Sequence, residues 1–152
     1  MSEPRTYFFD DVIIGEGQSY GPYQVTAEEL IPFNRKWDPL PMHLDDEAAR
    51  EKGHRGLTAS GQYTLCVKQL FINQTPWRDC VIGALGFDEV RFPNPVYVGD
   101  ELSAIIECID KRASQSKLDR GIVKFSVRVF NQNDDTVLSY IDTVMFTRRT
   151  EN

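Results

Sequence analysis

The spacing of apolar positions changes about halfway along the chain and divides it into a helical first part and a stranded second part. Thr26-Ala27-Glu28-Glu29 is a capping-box start, and Leu30, Phe33 and Trp37 follow at helical spacing, which predicts a helix from Ala27 to Trp37 stopped by Pro39. Asp45 can cap a short second helix through Lys52, with Gly53 as its stop signal. Gly56 to Gln74 is apolar on nearly every face (Leu57, Tyr63, Leu65, Cys66, Val67, Leu70, Phe71, Ile72), with Lys68 as its only charged side chain. A helix of that kind belongs among other elements, so it is expected to be central and wrapped.

From Val81 onward the period shortens to that of strands. Arg91 to Val98 is interrupted by Pro93 and Pro95, and Gly99-Asp100 reads as a turn before a strand over Leu102 to Ile109. In Ile122 to Phe130, Val123, Phe125, Val127 and Val129 alternate with Lys124, Ser126 and Arg128, so one face packs and the other meets solvent. Asn131 to Asp135 is a turn cluster, and Thr136 to Arg148 returns as a long strand to complete a hairpin. At the other end, Tyr7 to Tyr20 reads as a short edge strand, a turn at Gly15-Glu16-Gly17 and extended chain. Helices followed by an antiparallel meander define an α+β domain, and one nearly all-apolar helix is what a curled sheet would enclose.

Composition narrows the function. The 152 residues fit a single domain spanning 1–152, and 41% hydrophobic residues are enough for an ordinary core. A net charge of -6, without a Lys/Arg-rich block, is the wrong sign for a nucleic-acid partner. Cys66, Cys80 and Cys108 have neither disulfide-framework nor zinc-site spacing, which fits a reducing cytoplasm and no metal. Met1-Ser2-Glu3-Pro4-Arg5 lacks a signal-peptide pattern, and no apolar run is long enough for a bilayer, so the chain is expected to be soluble.

The chemistry concentrates in Trp37-Asp38-Pro39-Leu40-Pro41-Met42-His43-Leu44-Asp45. Pro39 disfavours the α region at Asp38 and so turns its carboxylate off the helix, while two prolines stiffen the link to His43. Such a pair can converge on one water and move protons, or it can be a helix cap beside a polar corner. Gly56-Leu57-Thr58-Ala59-Ser60-Gly61 is read as the start of the central helix, whose unpaired N–H groups can hold an oxyanion or whose small residues can simply permit close packing. Ser60 is either a substrate contact or a helix-start residue. His54 is read as a solvated loop side chain, and Lys111, Arg112, Lys117 and Arg120 as an exposed basic segment with a secondary reading as a phosphate contact.

These residues resemble the MaoC-like dehydratase family, which includes the (R)-specific enoyl-CoA hydratases of hotdog fold. The signature Asp-x-Asn-Pro-x-His-x-Asp reads here as Asp38-Pro39-Leu40-Pro41-Met42-His43-Leu44-Asp45, with Gly56-Leu57-Thr58-Ala59-Ser60-Gly61 after it. Further likeness lies in Arg91 to Leu102 and in Asp119-Arg120-Gly121-Ile122-Val123. The resemblance implies an antiparallel sheet wrapped around a central helix, with the site at the interface of a homodimer. It implies Asp38 and His43 as the catalytic pair and the backbone N–H of Arg55 or Gly56 as oxyanion donor. From their positions, Ser60 is the candidate substrate contact, and Trp37, Tyr63 and Phe71 are candidate walls of the acyl pocket or members of the core. The implied reaction is reversible addition of water to an enoyl thioester of coenzyme A or acyl carrier protein. It needs no cofactor, since coenzyme A is part of the substrate.

Leu40 departs from the signature asparagine and cannot hydrogen-bond as an amide does. Two rivals follow. A hotdog acyl-CoA thioesterase commonly uses a carboxylate on the central helix, and Leu57 to Gln74 contains neither Asp nor Glu. A catalytically silent acyl-CoA-binding hotdog protein is the other.

Overall fold

The structure is a computed structural model that describes residues 5–150; Met1 to Pro4, read above for a leader pattern, lie outside the described residues. Three helices, α1 (Ala27–Trp37), α2 (Asp46–Glu51) and α3 (Gly61–Ile72), accompany five strands: β1 (Gly17–Gln24), β2 (Val81–Arg91), β3 (Glu101–Ala113), β4 (Arg120–Phe130) and β5 (Thr136–Thr147). The strands form one antiparallel sheet in the order β1-β3-β4-β5-β2. Among the described residues no helix is long and apolar enough to cross a membrane.

The alternation in β4 does what its period requires. Val123, Phe125, Val127 and Val129 are buried toward the helices, together with Leu138, Tyr140, Val144 and Phe146 of β5. Trp77, just before β2, stacks on Phe125 with ring centroids 4.5 Å apart. Helix α3 lies on this inner face through Tyr63, Val67, Phe71 and Ile72. Its opposite side carries Cys66 and Leu70, both exposed, so one chain alone covers α3 on one side only.

As Pro93 and Pro95 predict, the chain leaves β2 at Arg91 and runs as a loop whose Tyr97 makes one isolated bridge with Thr58. Two sequence expectations are corrected here. The short edge strand read at the start of Tyr7 to Tyr20 is instead a 3₁₀ turn over Phe9–Asp11, and strand structure begins at Gly17. The central helix starts at Gly61, five residues after Gly56. Thr58 N–H donates to Met42 O at 3.1 Å and Ala59 N–H to Val96 O at 2.8 Å, so this stretch is held extended between two other segments and cannot be helical. Ser60 is the N-cap, its hydroxyl accepting from Gln62 N–H at 3.2 Å. A Cβ on Gly61 would lie 2.9 Å from the Phe92 ring, so a larger residue there would have to displace that half-exposed side chain.

Candidate active site

Helix α1 ends where Pro39 requires. Asp38 donates its N–H to Asn34 O at 2.8 Å and leaves the helical region at φ -153° and ψ 71°. Leu40 continues extended, and Pro41–His43 forms a single 3₁₀ turn that brings His43 back toward Asp38. Asp45 then caps α2 by accepting from Ala48 N–H at 2.9 Å, as its position in the sequence predicts.

The imidazole of His43 is buried and its tautomer is dictated by its neighbours. Nδ1 lies 2.8 Å from Thr58 O and 3.0 Å from Thr58 Oγ1. A carbonyl oxygen only accepts, so the proton sits on Nδ1 and the Nε2 lone pair is free. Nε2 faces Asp38 Oδ2 at 3.4 Å. Two acceptors thus face each other, and a donor with two hydrogens, such as water, satisfies both.

Two further side chains hold this arrangement. Ser60 is fully buried and donates from Oγ to Asp38 Oδ2 at 2.7 Å while accepting from Gln62 N–H, so both functions of its hydroxyl are engaged within the protein. Asn34, also fully buried, donates from Nδ2 to His43 O at 2.8 Å and to Thr58 O at 3.3 Å, and its Oδ1 accepts from Ser60 N–H at 3.2 Å. One amide therefore ties the end of α1 to the His43 turn and to the start of α3. The Leu40 side chain points outward, half exposed, and takes no part in this bracing.

Asp38 and His43 open on a cleft of ≈ 460 Å³ whose walls include Ser60, Gly61, Gln62 and Thr64 of the α3 start, Phe92 to Val96 beyond β2, and Val137 of β5. The structure thus brings Asp38, His43 and Ser60 together. It separates the other expected residues from them. Arg55 donates its N–H to the Tyr97 hydroxyl at 3.3 Å, and Gly56 lies against Asp46; neither lines the cleft, because the helix whose first amides they were meant to supply begins later. The first amide of α3 is that of Gly61, which lines the cleft and makes no hydrogen bond among the described residues. Trp37 is 63% exposed beneath Lys36, away from the cleft.

His54, read as a solvated loop residue, is half-buried and lines the cleft. Asn34 and Thr58 were missed as site residues. Asn34 had a usable signal, since it follows Leu30 by four positions on the inward stripe of α1, where an unpaired amide is costly. The basic segment lies elsewhere, with Arg120 paired to Asp119 at 2.9 Å and Lys111 bonded to Phe9 O.

The chain belongs to the MaoC-like family: residues 12–129 match the MaoC like domain. Its fold is the hotdog fold, α+β. It is similar to the uncharacterized protein YdeM of Bacillus subtilis (strain 168), with 30% identity over 82% of this chain and 88% of that protein. It is 29% identical to the mitochondrial 3-hydroxyacyl-[acyl-carrier-protein] dehydratase of Arabidopsis thaliana over 67% of this chain, and spans 56% of that longer protein. Among solved structures, the MaoC-like dehydratase from Rhodospirillum rubrum superposes with a TM-score of 0.88 at 31% identity, covering 95% of this chain and 99% of that one.

Proposed function

We propose that the protein is an (R)-specific enoyl-CoA hydratase or acyl dehydratase, adding water reversibly across the α,β double bond of an enoyl thioester. The observation that carries this reading is the geometry of the pair: the Thr58 carbonyl fixes the proton on Nδ1, and the free Nε2 faces the Asp38 carboxylate 3.4 Å away at a cleft wall. A water held there donates one hydrogen to Nε2 and one to Asp38. Nε2 takes a proton as the water oxygen bonds to the β-carbon, and Asp38 balances the imidazolium that forms. The electron pair of the double bond moves onto the thioester oxygen, which the Gly61 N–H at the positive end of α3 receives. Proton return to the α-carbon restores the neutral imidazole and completes the addition.

This assignment replaces Arg55 and Gly56 by Gly61 as oxyanion donor and makes Ser60 a positioning residue for Asp38. Asn34 supplies the bracing amide that Leu40 cannot. The acyl carrier is coenzyme A or acyl carrier protein.

The functional unit we propose is a homodimer. Strand β2 is an edge of the sheet, and its Val81, Ile82, Leu85 and Phe87 are exposed. A second copy pairing along that edge covers them and the bare side of α3.

The test is hydration of crotonyl-CoA and longer enoyl-CoAs, followed as loss of absorbance, with Asp38→Asn and His43→Ala beside the wild type. The reading is abandoned if the wild type is no faster than both variants at every chain length. Release of free thiol would point to thioester hydrolysis.

A further inference from the structure

Further along α3 lies a second set of buried polar side chains. Lys68 is 2% exposed, and Tyr140 and Asp142 on β5 are 3% and 5% exposed. Lys68 Nζ sits over the rings of Phe87 and Tyr140, 4.6 Å and 5.1 Å from their centroids, and donates to Gln69 Oε1 at 3.1 Å. An ammonium carries three donors, so this bond leaves donor capacity over. The Tyr140 hydroxyl and Asp142 Oδ1 are buried with no hydrogen-bonding partner among the described residues. Native interiors leave few such groups unmatched, and two of them beside an ammonium with donors to spare point to a ligand.

Lys68 lies one helical turn beyond the cleft wall. Thr64, which lines the cleft, and Lys68 occupy successive turns of the buried stripe of α3. Val137, also at the cleft, precedes Tyr140 and Asp142 on β5. At 1.5 Å per residue Lys68 lies roughly 10 Å along the helix from the Gly61 amide. An acyl chain whose thioester oxygen rests on that amide reaches Lys68 if it runs along the helix.

We propose that Lys68, Tyr140 and Asp142 form the distal end of the acyl cleft and receive a hydroxyl group carried at the far end of the acyl chain. A hydroxyl both accepts and donates, so its oxygen takes a hydrogen from Lys68 or Tyr140 while its own hydrogen goes to Asp142 Oδ1. A terminal carboxylate fits less well because Asp142 opposes it, and a terminal methyl leaves all three groups unmatched. Burial lowers the Lys68 ammonium from its ordinary value and raises the Asp142 carboxyl to about 6, with the attraction between them offsetting part of each shift. A site that already bears this desolvation gains from a neutral partner.

The proposal rests on the thioester reading of the cleft, and its test does not require turnover. Calorimetric titration of the wild type compares hexanoyl-, octanoyl- and decanoyl-CoA with their terminal hydroxy and terminal carboxy counterparts. The expected result is that the hydroxyl raises affinity roughly tenfold at one chain length. That preference disappears in Tyr140→Phe and Asp142→Asn, which still bind the plain acyl-CoA. Equal affinity for plain and hydroxylated chains at every length overturns the distal subsite and leaves the thioester reading standing. Failure to bind any acyl-CoA overturns both. The wild-type comparison stands alone should a variant not fold.

Discussion

Two acid–base clusters among the described residues are built on opposite plans. Around Asp38 and His43 the supporting bonds are complete: Thr58 fixes the imidazole, Ser60 the carboxylate, and Asn34 the backbone of both neighbours. What stays open is the side where Nε2 and the carboxylate face the cleft. Around Lys68, Tyr140 and Asp142 the polar atoms are closed off from solvent and incompletely bonded. For the proposed reaction the first cluster is preorganised, because its groups need no rearrangement when charge develops. The second carries a desolvation cost that the proposed ligand would offset. Both clusters contain an aspartate beside a basic group, so it is the completeness of bonding, not residue type, that sets the two proposed roles apart.

Four experiments can break this contrast. His43→Ala removes the proton acceptor, and a loss of about 10³-fold in kcat/KM is expected in the enoyl-CoA assay. A loss below tenfold would place the chemistry elsewhere. Asn34→Ala leaves the His43 and Thr58 carbonyls and the Ser60 N–H without that amide, so denaturant unfolding should show a loss of about 3 kcal/mol, with reduced kcat in what remains folded. If stability holds and only KM moves, Asn34 is not the brace described here.

Asp142 gives the next effect. Its folded-state value of about 6 lies above the ordinary 3.8, so the native state binds the proton more tightly than the unfolded chain. Its contribution is fully present below 3.8 and is lost as pH rises through about 6, a fall of about 2–3 kcal/mol. Unfolding free energies measured from pH 3.5 to 7 should show that slope in the wild type and a flatter profile in Asp142→Asn. Parallel profiles would mean the carboxylate is not desolvated. The smallest change belongs to Ser60→Ala, which removes the α3 cap and the bond to Asp38 for about 1–2 kcal/mol of stability. Its activity loss should be smaller than that of His43→Ala, and an equal loss would make Ser60 a catalytic group.

Local rules carried the reading of the sequence as far as local rules operate. The bounds of α1, the Asp45 cap and the alternation of β4 follow from spacing and side-chain type within a few residues, and the structure reproduces them. The same holds for the approach of Asp38 to His43, which prolines at 39 and 41 enforce within one loop. The start of α3 escaped because Leu57 to Ser60 contains neither Gly nor Pro; it is pulled out of the helix by Met42 and Val96, bonds that only the tertiary fold creates. The misplaced oxyanion amide is a direct consequence. Trp37 sits at the apolar period's last position, where a side chain can fall beyond the buried stripe, and it did. Lys68 was read as a lone charge on an apolar helix, with nothing local to show that β5 would place a tyrosine and an aspartate opposite it.

The bracing by Asn34 also bears on the order in which the protein takes shape. Its reach to the N–H of Ser60 spans 26 positions, and the other bonds of the Asp38–His43 centre span fewer. The outer pairings of the sheet close over much longer intervals, as where Gly17 pairs with Glu107 and Val81 with Phe146, although β3–β4 and β4–β5 are local hairpins. Short loops lose less chain entropy on closing, so this network can form while β3, β4 and β5 are still being synthesised. The Asp38–His43 arrangement is in that sense set within the stretch from Asn34 to Ser60, whereas Lys68 meets Tyr140 only once the last strand has docked.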